Sequence, residues 1–192
     1  IEGIARIDAM DVNFARYLEY TVRLLAVARI APDGQRLFLS VHPALLHQNH
    51  PLAGVHGSMN AVALQGDVVM ESMFYGRGAG RNPTASAVVS DIVALGRALR
   101  GGGVLPSWAP EATPAHVLAN MTDYRTRYYL RFIVEDKPGV MGRITTALGQ
   151  HQVSIASVHQ FESELKDNQV PISILTHVVR EGDVLASLEQ LR

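Results

Sequence analysis

The sequence predicts an α/β protein in two parts, and three observations carry that reading. Apolar residues alternate along two pairs of segments between Thr21 and Phe74, the period-two signature of strands. A loop with glycines at 76, 78 and 80 then leads into a helix. From Arg127 the alternation restarts, and the order β-α-β-β-α follows towards Arg192. The first part is expected to be a mixed sheet with helices on it, the second a smaller α+β unit.

Taken in order, Asp8 is placed to cap a short helix, with Asp11 three residues on in the capping-box position. Met10, Phe14, Tyr17 and Leu18 fall on one face of that helix. Val22, Leu24, Ala26, Ala28 and Ile30 share one side of a strand. Pro32-Asp33-Gly34 is a turn, and Leu37, Leu39 and Val41 resume the alternation, so the pair reads as a hairpin. A second hairpin joins Met59–Leu64 to Val68–Phe74 around Gly66-Asp67. Met59, Met70 and Met73 read as core residues that fill gaps. Asn82 is expected to cap the helix that follows, with Pro83 in its first turn. Gly101-Gly102-Gly103 ends it near Leu99. Pro106, Pro110 and Pro114 then break regular structure, so 105–125 reads as a linker, with Trp108 and Val117-Leu118 able to pin it to a neighbouring surface. Beyond it, Tyr128, Leu130, Phe132 and Val134 alternate with Tyr129, Arg131, Ile133 and Glu135. A loop over 136–141 enters a helix running to Gln150. Strands at 153–161 and 170–178 and a helix opened by Glu181-Gly182-Asp183 complete the pattern.

Composition narrows the function classes. The 192 residues are 47% hydrophobic and 18% charged with a net charge of -1, which gives no electrostatic case for nucleic acid or an anionic membrane. The chain has no cysteine, which excludes disulfides and thiolate metal sites and fits a reducing, cytoplasmic setting. No apolar run reaches spanning length. The start at Ile1 reads as a cut end rather than a signal peptide. His42, His47, His50 and His56 look like a metal cluster, but gaps of five, three and six do not set them on one face. Pro43 and Pro51 make the segment a loop in this reading, and no metal site is expected.

The chemistry concentrates at two loops. Gly76, Gly78 and Gly80 let the backbone turn and let a ligand come close. The helix start after them offers free N–H groups and a positive dipole end. Arg77 is either a phosphate contact or a solvated loop arginine. At the second loop, the helix start over Gly139, Val140 and Met141 offers N–H donors to a carboxylate. Lys137 is a weaker candidate for the same role.

The string from Asn60-Ala61-Val62 through Gly66-Asp67, Phe74-Tyr75-Gly76-Arg77-Gly78-Ala79-Gly80 and Pro83-Thr84-Ala85-Ser86-Ala87-Val88-Val89-Ser90-Asp91 resembles the catalytic region of homoserine dehydrogenases. Upstream, Glu2-Gly3-Ile4, Leu24-Leu25-Ala26, Val41-His42-Pro43 and His50-Pro51-Leu52-Ala53 agree in order. Asp136-Lys137-Pro138-Gly139-Val140-Met141, at the first strand–helix junction of a β-α-β-β-α pattern, resembles the ACT domain, a ferredoxin-like βαββα(β) fold that senses small molecules.

The resemblance implies residues 1–104 as the C-terminal part of the catalytic and dimerisation region and 126–192 as the ACT domain, its last strand absent or beyond Arg192. It implies hydride transfer between NADP or NAD and the homoserine/aspartate semialdehyde pair, within threonine and methionine biosynthesis. Gly76, Gly78 and Gly80 would border the cofactor. Asp136, Pro138, Gly139, Val140, Met141 and Ser154 would hold an amino-acid effector, threonine in this family, with Ser157 close by. The family's nucleotide-binding fold, catalytic lysine and substrate-binding carboxylates lie upstream of the matching region. No catalytic residue is therefore assigned, and the piece should be inactive alone. The strands need a partner to bury both faces, so a homodimer or higher oligomer is expected. The alternative is a non-catalytic module that binds an amino acid or dimerises.

Overall fold

A computed structural model describes residues 3–101, 116–161 and 168–192. They group into two compact units. Ala26–Val41 belongs with His116–Arg192, and Glu2–Leu25 belongs with His42–Ala115.

In the unit of Glu2–Leu25 and His42–Ala115, helix α1 spans Ala9–Tyr17. Asp8 Oδ1 accepts from the N–H groups of Met10 (2.8 Å) and Asp11 (3.2 Å), and Asp11 Oδ2 accepts from the Asp8 N–H at 3.0 Å. This is the reciprocal box the sequence predicts. Its buried face is Asp11, Phe14 and Ala15, while Tyr17 points to solvent. Strands β1 (Tyr20–Ile30) and β2 (Arg36–His47) form the first hairpin. The second strand is longer than its alternation suggested. It continues through His42 and Pro43 to His47, where a loop was expected, and a 3-10 turn follows at Pro51–Gly54.

Strands β3 (Met59–Gln65) and β4 (Glu71–Arg77) pair antiparallel from Met59↔Arg77 to Gln65↔Glu71. Helix α2 then spans Arg81–Arg100. It starts earlier than the sequence reading, because Gly80, not Asn82, is the N-cap. No residue of α2 is buried, and Val88, Ile92, Leu95 and Leu99 form an exposed apolar row. Their spacing of three and four puts them on one helical face. Met70 and Met73, expected in a core, are exposed as well. A two-stranded hairpin with an apolar face is marginal alone.

In the other unit, the tip of the first hairpin meets the stretch after residue 115. Strand β5 (Val117–Leu118) runs parallel to β2 at Arg36 and Leu37. Ala31, Phe38 and Tyr124 make a small buried cluster, with the Phe38 and Tyr124 rings edge-on at 5.3 Å. The Arg29 guanidinium lies 5.7 Å from the centre of the Tyr124 ring, within cation–π range. The stretch read as linker thus contains an ordered part, and Trp108 lies outside the described residues. Strand β6 (Arg125–Thr126) pairs with a short strand that immediately precedes the last helix.

Strand β7 (Tyr129–Glu135), helix α3 (Val140–Gln150), strands β8 (Ile155–Gln160), β9 (Gln169–Thr176) and β10 (Val179–Arg180), and helix α4 (Glu181–Gln190) follow. The sheet order is β7-β9-β8, antiparallel throughout, and β10 pairs with β6. Leu130 of β7, Ile172 and Ile174 of β9, Ile144 and Leu148 of α3 and Val184 of α4 form the core. Tyr128, Phe132 and Val134 pack against it. The period-two alternation of β7 therefore selects its buried face.

Candidate functional site

The glycine loop grows out of β4. Gly76 pairs with Asn60 and Arg77 with Met59. The Gly78 N–H donates to the Ser58 carbonyl at 3.0 Å, which extends the ladder one step. Arg77 Nη1 donates to Ser58 Oγ at 3.3 Å, so this arginine is held on its own hairpin.

The three glycines stand in three different surroundings. Gly80 has φ +122°, a conformation that side chains disfavour. A β-carbon on Gly78 would overlap the carboxamide of Asn60. A β-carbon on Gly76 would meet no atom within 4 Å. Nothing described in the chain requires a glycine at 76. Asn60, Val62, Phe74, Gly76, Arg77 and Gly78 line a shallow depression on this hairpin. Beside it, α2 begins without a side-chain cap and without an acidic residue in its first turn, while Arg97 and Arg100 sit in its last. The N–H groups of the first turn are thus open to an acceptor.

At the second loop, the Asp136 N–H donates to the Asn168 carbonyl at 2.8 Å, and Asn168 Nδ2 donates to the Asp136 carbonyl at 3.3 Å. Gly139 is in the left-handed region at φ +90°, with open space where its side chain would stand. Val140 and Met141 turn their side chains to the core. The Val140 N–H returns to the Lys137 carbonyl at 3.4 Å, so the turn itself engages one of the expected donors. Lys137 Nζ is paired with the Glu135 carboxylate, and that ammonium holds the Glu135 carboxyl below its ordinary range. Ser154 is exposed, and its carbonyl accepts from the His177 N–H at 2.8 Å. Among the described residues no hydrogen bond joins Ser154 to the 136–141 loop. Ser157 Oγ is engaged by His159 Nε2 at 3.2 Å. A groove beside the loop is lined by Gly139, Gly142, Arg143, Thr146, Gln150 and Gln190, on the side of α3 and α4.

The histidines do separate jobs. His42 Nδ1 lies 3.1 Å from the Pro43 carbonyl, and His47 packs edge-on against Tyr20 at 5.4 Å. His50 caps the 3-10 turn by accepting from the Leu52 N–H at 3.2 Å. His56 meets Arg23.

Sequence reasoning missed Asn60, Ser58 and Arg23 as organisers of this region. Arg23 left a trace, a cation on the face of β1 opposite its apolar row. Asn60 and Ser58 left none, because their importance lies in cross-strand register.

Comparison with known proteins covers nearly the whole chain. Residues 1–93 match the family model described as homoserine dehydrogenase, and residues 128–192 match the ACT domain. The homoserine dehydrogenases of Synechocystis sp. and Pseudomonas aeruginosa are each 39% identical over 99% of this chain. The chain spans 45% of the length of both relatives. The crystal structure of a homoserine dehydrogenase from Thiobacillus denitrificans superposes with a TM-score of 0.80 at 36% identity, over 99% of this chain and 43% of that one. That of S. aureus shares the fold, with a TM-score of 0.60 at 22% identity over 97% of this chain and 44% of its own.

Proposed function

With residues 1–93 belonging to the homoserine dehydrogenase family and residues 128–192 to the ACT family, we propose that the chain is the C-terminal part of an NAD(P)-dependent homoserine dehydrogenase. The intact enzyme would interconvert homoserine and aspartate 4-semialdehyde, with NADP or NAD supplying or accepting the hydride. The domain division at 1–104, 105–125 and 126–192 belongs to the same reading, and it is supported by family matches that end at 93 and resume at 128.

The observation that carries the cofactor reading is Gly76. Its backbone conformation is ordinary and its neighbours leave room, yet it has no side chain. A close-lying ligand on that face explains the choice. The hairpin would orient a nicotinamide ring against the backbone at 76–78. The uncapped start of α2 would favour negative charge nearby.

Gly76→Val in the intact enzyme is the test. Valine suits a strand, and a β-carbon at 76 meets no atom of the described residues within 4 Å, so the fold should hold. The cofactor KM should rise by about tenfold or more, because a branched side chain would displace the ring from its productive position. Unchanged cofactor KM with unchanged stability would remove the loop from the cofactor site.

Through the ACT domain the enzyme would be regulated by an amino acid, threonine in our reading. Asp136, Pro138, Gly139, Val140, Met141 and Ser154 are the proposed contacts. The left-handed Gly139 with open space before it supports this. The effector would act by binding one arrangement of the domains better than another. Threonine inhibition that survives Gly139→Asp unchanged would sink the site. A homodimer or larger oligomer in the cytoplasm completes the proposal. The exposed apolar row of α2, Val88, Ile92, Leu95 and Leu99, supports a covered surface.

A further inference from the structure

Asn60 and Gly78 are two residues apart along the β3–β4 ladder, because Asn60 pairs with Gly76. Side chains at 60, 76 and 78 therefore share one face of the hairpin. The Asn60 carboxamide leans along that face into the space over Gly78. A β-carbon there would lie within bonding distance of Nδ2 and 2.8 Å from Cγ. Among the described residues this carboxamide has no hydrogen-bond partner, and it forms part of the wall of the depression that Gly76 and Gly78 floor. Val62 and Phe74 add apolar surface to that depression, and Arg77 lines it as well. A lone amide keeps one acceptor and two donors open.

We propose that Asn60 is a specificity residue of the glycine loop. Its exposed side chain occupies the space over Gly78. Its open donor and acceptor recognise a primary carboxamide on a flat ring laid over Gly76, the chemistry of nicotinamide. This rests on the cofactor reading above and adds to it the group that reads the ring's amide.

The test uses the intact enzyme and two readouts, the unfolding midpoint without cofactor and calorimetric affinity for two cofactors. One is the reduced nicotinamide dinucleotide. The other is its 3-acetylpyridine analogue, in which a methyl group replaces the amide nitrogen. Asn60→Ser, with Asn60→Ala as a second variant, should weaken nicotinamide binding by roughly three- to tenfold, the scale of one hydrogen bond. The acetylpyridine analogue should lose less.

Gly78→Ala should turn the exposed Asn60 side chain aside at little cost to the midpoint, and should weaken nicotinamide binding as Asn60→Ala does. Equal weakening of both cofactors, or none, with Gly76→Val still impairing binding, would overturn the proposal and leave the cofactor reading standing. Unchanged binding in every variant, Gly76→Val included, would overturn both. Gly78→Ala that left nicotinamide binding unchanged while Asn60→Ala weakened it would overturn the placement of the carboxamide over Gly78.

Discussion

Arg23 ties β1 to the turn that follows β2. Its Nη2 donates to the Ala53 carbonyl at 2.7 Å and lies 2.8 Å from His56 Nδ1. Its Nε is buried without a partner among the described residues. The carbonyl is the important end of this contact, since Ala53 is buried while the His56 ring is exposed. Arg23→Met should destabilise the protein by about 1–3 kcal/mol, the cost of a buried acceptor left unmade. His56→Gln should cost under about 0.5 kcal/mol, because a glutamine oxygen can still accept. Urea unfolding of both variants checks the order. Equal losses would mean that the ring, not the carbonyl, is what Arg23 serves.

The Asp8–Asp11 box predicts an asymmetry that a single cap would not. Asp8→Ala removes the acceptor for two N–H groups and should cost about 1 kcal/mol. Asp8→Asn keeps an acceptor and should recover most of it. Amide exchange at Met10 and Asp11 is the local readout. It should accelerate in the alanine variant and change little in the asparagine variant.

Asp33 holds the tip of the first hairpin. Its Oδ2 accepts from Arg36 Nε at 2.6 Å, and its Oδ1 accepts from the N–H groups of Gln35 and Arg36. The Arg36 guanidinium first, then those backbone donors, pull its pKa from 3.8 down to about 2. A carboxyl depressed on folding stabilises above its unfolded pKa. That contribution is lost as pH falls through the folded one. The turn should therefore loosen between about pH 4 and pH 2, and Asp33→Asn should flatten stability over that window. Because the pair is exposed, the effect should shrink in high salt. A titration of the Asp33 carboxyl by NMR with a midpoint near 4 would refute the pairing.

Gly139 should resist substitution because of its backbone and not because of its neighbours. Its β-carbon would meet nothing, but its φ of +90° is costly for any other residue. Gly139→Ala should lose about 1–3 kcal/mol from backbone strain alone. Gly142→Ala, in the helix beside it and also in open space, should be neutral or stabilising by up to about 1 kcal/mol. Thermal melts of the two variants that moved in the same direction would count against this.

The core of the second unit gives the last prediction. Leu148 and Ile174 are fully buried where α3 meets the sheet. Leu148→Ala should cost about 2–5 kcal/mol by lost transfer energy and a residual cavity. Leu185→Ala, on an exposed part of α4, should stay within about 0.5 kcal/mol. A small loss at Leu148 would mean that the unit is loosely packed.

Local chemistry was legible in the chain. Asp8 and Asp11 announced the first helix, and Pro32-Asp33-Gly34 announced the hairpin turn. The alternation of Leu130, Phe132 and Val134 with Tyr129, Arg131, Ile133 and Glu135 announced the strand β7. Each of these is decided within a few residues, by hydrogen bonds to neighbouring N–H groups or by the period of apolar side chains. The string from Asn60 to Asp91 with the upstream pieces in order, and the Asp136–Met141 loop, carried the resemblance to the family.

What depends on distant partners could not be read this way. His42 and Pro43 looked like loop, but pairing along β2 keeps them in a strand. Asn82 has the chemistry of a cap, yet the φ of Gly80 starts the helix two residues earlier. Met70, Met73 and the apolar row of α2 look like core, yet they face outward, because apolar composition says that a surface is to be covered and not by what. The roles of Asn60 over Gly78 and of Arg23 on the Ala53 carbonyl come from cross-strand register and from pairings thirty residues apart. Sequence fixes the chemical type of such groups. Only the folded chain decides which of them meet, because strand pairing brings together residues whose spacing in the chain carries no trace of the encounter.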